Sequence, residues 1–113
     1  MTERRERATG GVVFTTSDDH LRASFWGVVD AEVRSRSTGQ LWSAWSPAQV
    51  CEIDCRPVIQ MDSLGLSVFV RLVRDAIEAG CDVRFLGASE QVADLLETTG
   101  VDAWMRGLGV RDG

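Results

Sequence analysis

Few side chains in this sequence are suited to chemistry, and their spacing excludes most of it. The only histidine, His20, stands in Ser17-Asp18-Asp19-His20, a run with the composition of a turn. There is no Gly-x-Ser-x-Gly elbow, so a Ser-His-Asp triad is not supported. No phosphate-binding glycine loop of the P-loop or dinucleotide type occurs. The three cysteines are Cys51, Cys55 and Cys81, an odd count that does not describe a disulfide framework. Cys51 and Cys55 lie in an extended stretch, about 13 Å apart at strand rise, too far for a direct disulfide. With one histidine, zinc lacks ligands at a workable spacing, and the thiols read as small buried hydrophobes. Asp54 and Asp62 invite comparison with an acid/base pair, but strand-end carboxylates facing water are the simpler reading. The chain therefore reads as a non-enzyme that needs no cofactor and no metal.

One junction stands out, Met61-Asp62-Ser63-Leu64-Gly65-Leu66. A strand ends at Asp62 and a helix begins within three residues, which puts Ser63 at a helix N-terminus. Free N–H groups and the helix dipole favour an anion there. Two readings stay open. Ser63 is an N-cap, with Gly65 permitting a tight turn, or its hydroxyl is a place for a phosphate. A phosphate would add nearly two negative charges beside Asp62 and change any surface that binds this edge.

The elements that must position this junction follow from periodicity. Residues 11–16 and 21–26 flank the turn at His20 and predict a hairpin, with residues 27–30 ending its second strand. Residues 40–45, with Leu41, Trp42 and Trp45 at helical spacing, predict a short helix stopped by Ser46-Pro47. Residues 49–54 alternate as a strand, Arg56-Pro57 breaks it, and residues 58–61 form a second apolar segment. Leu66, Phe69, Val70, Val73 and Ile77 then follow helical spacing, and Gly80 sits where a C-cap needs positive φ. Residues 81–86 are a strand, so strand, helix and strand make a βαβ unit with parallel strands. Ser89 opens a last helix over residues 90–98, Gly100 ends it, and residues 101–105 dock back.

Size and charge narrow the class. The chain has 113 residues, enough for one core and too few for two. Residues 1–10 predict a disordered tail, 11–105 the domain, and 106–113 a flexible tail. Seventeen acidic residues against twelve basic ones, all arginine, leave a net charge of −5. That balance argues against nucleic acid and against an anionic membrane surface as partners. No apolar run approaches the ~20 residues of a membrane helix, and no signal-peptide core precedes the domain, so a cytoplasmic protein without membrane insertion is expected.

Four motifs, in order, carry a resemblance. Ile53-Asp54 precedes Asp62-Ser63-Leu64-Gly65-Leu66 by seven residues; Gly27-Val28-Val29-Asp30 follows the second strand; Val83, Phe85 and Gly87 mark a later strand; Leu96-Glu97-Thr98-Thr99-Gly100-Val101 closes the last helix. Across residues 11–105 the sequence resembles the STAS family, which includes the anti-sigma factor antagonists. The resemblance implies an α/β, STAS-like fold, a mixed β-sheet of about four to five strands with helices mainly on one face. It implies a partner-binding surface at Asp30, Asp62, Ser63, Leu64, Gly65 and Leu66, with phosphorylation at Ser63. In antagonists of this kind an anti-sigma factor that is also a serine kinase phosphorylates the matching serine. The unphosphorylated form binds that kinase and frees a sigma factor; phosphate releases it, and a phosphatase reactivates it. Mg-ATP would belong to the partner.

Leu64 stands where the family has Ser or Thr, Val28 where it has Glu, and the region before residue 46 is polar and then Trp-rich. A second reading accommodates these departures, a STAS docking subunit of a membrane lipid-transport ATPase complex working without phosphorylation. A third, from another class, is a thiol redox sensor built on Cys51 and Cys81 of neighbouring strands.

Overall fold

A computed structural model describes residues 9–33 and 49–112. The short helix expected over residues 40–45 and most of the expected N-terminal tail lie outside the described residues. Nine elements follow in order: β1 (Gly10–Ser17), β2 (His20–Val29), β3 (Val50–Cys55), β4 (Val58–Met61), α1 (Ser63–Glu78), β5 (Asp82–Ala88), α2 (Glu90–Thr99), α3 (Val101–Gly107) and β6 (Arg111–Asp112). Residues 31–33 are helical as well.

The hairpin forms as its composition requires. β1 and β2 pair antiparallel from Gly10↔Gly27 to Ser17↔His20, and Asp18 takes φ 52° in the two-residue turn. β2 is the organising strand. Its first half pairs in parallel with β3 (His20↔Val50 to Ser24↔Asp54), and its end pairs in parallel with β4 (Val29↔Met61). β3 and β4 are thus two pieces laid along one long strand. Pro57 has no N–H for the ladder, so the strand breaks there, while its carbonyl accepts from Gly27 N at 3.0 Å. β3 also pairs in parallel with β5, as the βαβ reading predicted, and the sheet runs β1-β2-β3-β5-β6 with β4 on β2. That is a mixed sheet of six strands rather than four to five. The extra strand is the two-residue β6, held beside β5 at Arg84↔Arg111. The segment from Arg106 on, expected to be loose, instead completes α3 and supplies this strand, because Val110 packs on the core and Arg111 Nη2 donates to Asp82 Oδ2 at 2.7 Å.

One face of the sheet is the core. Leu21, Ala23, Phe25 and Val29 alternate into it from β2, and Cys51, Ile53 and Cys55 from β3. Phe69 of α1 packs between Phe25 and Phe85, with ring centroids 5.7 and 5.9 Å away. Val92 and Leu96 of α2 complete the layer. The opposite face carries Arg22, whose guanidinium lies 3.1 Å from Glu52 across the ladder. Helices mainly on one face are therefore what the alternation in β2 demands.

Asp54 is the buried charge of the sheet, at 7% exposure. Its Oδ1 accepts from Arg56 N and Nε at 3.0 and 2.9 Å, and its Oδ2 from Arg56 Nη2 at 3.1 Å. These bonds from Arg56 outweigh burial and hold the carboxyl below its ordinary pKa. A carboxyl lowered by folding stabilises the fold above its unfolded pKa, and that contribution is lost as pH falls through the folded value. Asp54→Asn is therefore expected to lower the urea midpoint at pH 7, with the deficit shrinking at pH values below about 4. A deficit that persists unchanged at low pH would show that the carboxylate charge is not what matters.

Candidate functional site

The junction between β4 and α1 is built from the end of β2. Asp62 N donates to Val29 O at 3.3 Å, one residue past the Val29↔Met61 pair. Asp30 and Asp62 therefore leave the sheet side by side, at the C-terminal ends of parallel strands. Each caps a helical start. Asp30 Oδ1 accepts from Glu32 N at 3.1 Å and Val33 N at 3.4 Å. Asp62, with extended backbone, accepts at Oδ1 from Gly65 N at 2.8 Å. On the far side of β4, Met61 N donates to Gln91 Oε1 of α2 at 3.1 Å, which ties the strand end to the second helix.

Asp62, not Ser63, is the N-cap of α1. This decides between the two readings of Ser63 as far as capping goes: it is the first residue of the helix, exposed, and its hydroxyl makes no hydrogen bond among the described residues. Removing the cap acceptor with Asp62→Ala is expected to cost about 1 kcal/mol in denaturant unfolding, and Asp62→Asn less, because an amide oxygen still accepts.

Gly65 is not a turn residue. A Cβ there would lie 2.0 Å from Val29 O and 2.6 Å from Val29 C, so the glycine lets α1 approach the end of β2. Gly65 and Leu66 are buried. Of the six residues expected to bind a partner, Asp30, Asp62, Ser63 and Leu64 offer surface, while Gly65 and Leu66 position the helix. Leu64 is 41% exposed.

Sequence reasoning missed two exposed features of β4 and α1. Ile59 of β4 is 73% exposed, because β4 is a short edge piece rather than a buried continuation of β3. A shallow groove of about 370 Å³ runs along α1 from Ser63 past Ser67 and Val70 to Arg71 and Arg74. The signal for it was present in the helical spacing of those residues.

Other candidates drop away. His20 is exposed at the start of β2. Both oxygens of Asp54 are engaged by Arg56, which removes it from any pairing with Asp62. No metal-binding group of His, Cys, Asp and Glu occurs among the described residues. The three cysteines form no disulfide, and all three are buried. Burial, and then a hydrogen bond with Cys81, push the Cys51 thiol far up; burial does the same to Cys55. A thiol rather than a thiolate is a poor nucleophile. The native protein is expected to be inert to an aromatic disulfide reagent, with all three thiols titrating in denaturant. Rapid native reaction would revive the redox reading.

Comparison with known proteins agrees with this geometry. The STAS domain family matches residues 7–111. The structure of the anti-sigma factor antagonist SpoIIAA in its unphosphorylated form superposes with a TM-score of 0.62 at 13% identity, covering 88% of this chain and 99% of that one. An uncharacterized protein of the DUF3478 family with a SpoIIAA-like fold, from Shewanella loihica PV-4, gives 0.55 at 19% identity, covering 88% and 82%. No curated protein sequence matches the chain. At these identities the two structures speak for the fold.

Proposed function

The chain belongs to the STAS family, and from that premise we propose that it is an anti-sigma factor antagonist switched at Ser63. STAS domains are generally regulatory or binding domains rather than catalysts. In this reading the unphosphorylated chain binds a kinase-type anti-sigma factor in the cytosol and frees a sigma factor. The partner would transfer the γ-phosphoryl group of its own Mg-ATP to Ser63 Oγ, keeping ADP as the leaving group while the hydroxyl gives up its proton, and then be released. A phosphatase restores the binding form.

One observation carries the reading. Ser63 is exposed at the first turn of α1, and Asp62 does the capping, so the hydroxyl is uncommitted among the described residues. A kinase can take it without dismantling the helix. Asp30 and Asp62 flank the position, so a phosphate would concentrate negative charge on the surface a partner must cover. Exposed Leu64 supplies apolar contact beside it.

The test is capture from native-host lysate with wild type and Ser63→Asp as parallel baits. A kinase-type anti-sigma factor held by wild type and lost by Ser63→Asp supports the switch, as does phosphate mapped to Ser63 after incubation of the pair with ATP. Identical partners for both baits, a transporter ATPase above all, would replace the switch with constitutive docking.

A further inference from the structure

β1 is an edge of the sheet. It pairs with β2 on one side and, among the described residues, with no other strand. Charges, prolines and bulges are the devices by which sheet edges avoid pairing with another chain. The eight residues of β1, GGVVFTTS, include no charge and no proline, and their register on β2 runs from end to end without a shift. The other short strands are protected. β6 is two residues long and both are charged, and β4 is four residues long with a register shift against β2.

The ladder shows which backbone groups of β1 face outward. Val28 N donates to Thr9 O at 3.0 Å, so Gly10↔Gly27 is a pair without mutual hydrogen bonds. Such pairs alternate with hydrogen-bonded ones along an antiparallel ladder. Counting along the register, Gly11, Val13 and Thr15 turn their N–H and C=O toward β2, while Val12 and Thr16 turn theirs toward the edge. Val13 is 49% exposed, and Thr15 and Thr16 are exposed as well.

We propose that β1 pairs with β1 of a second copy of this chain, antiparallel about a two-fold axis, so that two sheets become one. Val12 of each copy exchanges hydrogen bonds with Thr16 of the other, and Val13 of each stands opposite Thr15 of the other. All of these side chains are β-branched, a class that packs well across strands. The occupant is a second copy because self-pairing sets a strand against its own sequence, where like charges would oppose each other, and this strand has none. A chain of net charge −5 repels its copy least along an uncharged edge. The acidic turns, Asp18-Asp19, fall at opposite ends of the antiparallel pair and do not meet. β3 and β4 lie on the other side of β2, so this pairing is independent of the Ser63 switch.

Sedimentation equilibrium of the full chain across the micromolar range tests the proposal, and the mass is expected to rise from 12.4 kDa toward twice that value. Thr16→Pro removes an outward N–H and leaves the β1–β2 ladder intact, and is expected to weaken association at least about tenfold with little change in the urea midpoint. Val13→Lys puts a charge beside the axis and is expected to do the same; this arm decides even where Thr16→Pro does not fold. The register is read by oxidation. A mixture of Val13→Cys and Thr15→Cys is expected to form a disulfide-linked dimer in much higher yield than either variant alone, with the buried native cysteines out of reach. A monomer at every concentration would overturn the proposal and leave the edge to an extended segment of another protein. Association that survives both Thr16→Pro and Val13→Lys, or equal cross-linking of the mixture and the single variants, would overturn it as well.

Discussion

Gly65→Ala is expected to destabilise the protein by about 3 kcal/mol, a large share of the ~5–15 kcal/mol that holds a domain together. The sign is the informative part. Inside a helix, alanine ordinarily gains about 1 kcal/mol over glycine. Here the added methyl would meet a backbone carbonyl, Val29 O, at 2.0 Å, and backbone cannot rotate aside like a side chain. α1 would have to withdraw from β2. Withdrawal stretches the Asp62 N to Val29 O bond and shifts Phe69 between Phe25 and Phe85. Gly107→Ala is the matched control. It makes the same chemical change in α3, where a Cβ meets nothing within 4 Å, and is expected to be neutral or slightly stabilising. Urea unfolding of the three proteins checks this. Equal effects for the two variants would mean that the close approach of α1 to β2 carries no energy.

Phosphate on Ser63 is expected to weaken partner binding at least a hundredfold, about 2.7 kcal/mol, while leaving the fold intact. The two effects separate because they arise on different sides of the residue. Toward the helix, a dianion at the first turn gains about 0.3–1 kcal/mol from the dipole and the free N–H groups. Repulsion from Asp62 works against that gain, and both are screened at an exposed position. The midpoint of unfolding should therefore move little. Toward the partner, the phosphate must be stripped of water beside Asp30 and Asp62, and like charges at an interface cost several kcal/mol. Ser63→Ala is expected to bind like wild type and to resist phosphorylation, since the hydroxyl serves as acceptor rather than as contact. Calorimetry with the captured partner, alongside thermal melts, measures both. A phosphoprotein that binds as tightly as wild type sinks the switch; one that binds poorly because it has melted points to a structural effect instead.

Much of this architecture was legible because local patterns suffice for it. The β1–β2 hairpin follows from alternation around a turn-forming run, and the end of α1 from Gly80, which takes φ +87°. The parallel pairing of β3 and β5 follows from the length of the crossover between them. The strand-to-helix junction that exposes Ser63 was visible in Asp62-Ser63-Leu64-Gly65, and the order of four motifs was enough to bring the STAS family into view.

The face that α1 buries was not legible in the same way. Helical spacing put Leu66, Phe69, Val70, Val73 and Ile77 inward; Leu66, Phe69 and Val73 are buried, Val70 and Ile77 are partly covered, and Val68, Leu72 and Ala76 join the buried face. Val68, Phe69, Val70, Leu72 and Val73 are apolar nearly all round, so their period could not choose a rotation. The contact of Gly65 with Val29 chose it, across 35 residues of intervening chain. The same kind of distance hid the split of β3 from β4 and the docking of β6 on β5. What the sequence by itself determined was which segments are strands and helices and that a serine stands where one becomes the other. Only the tertiary structure decided that Asp62 does the capping and Gly65 the docking, because both are settled by where the end of β2 lies in space.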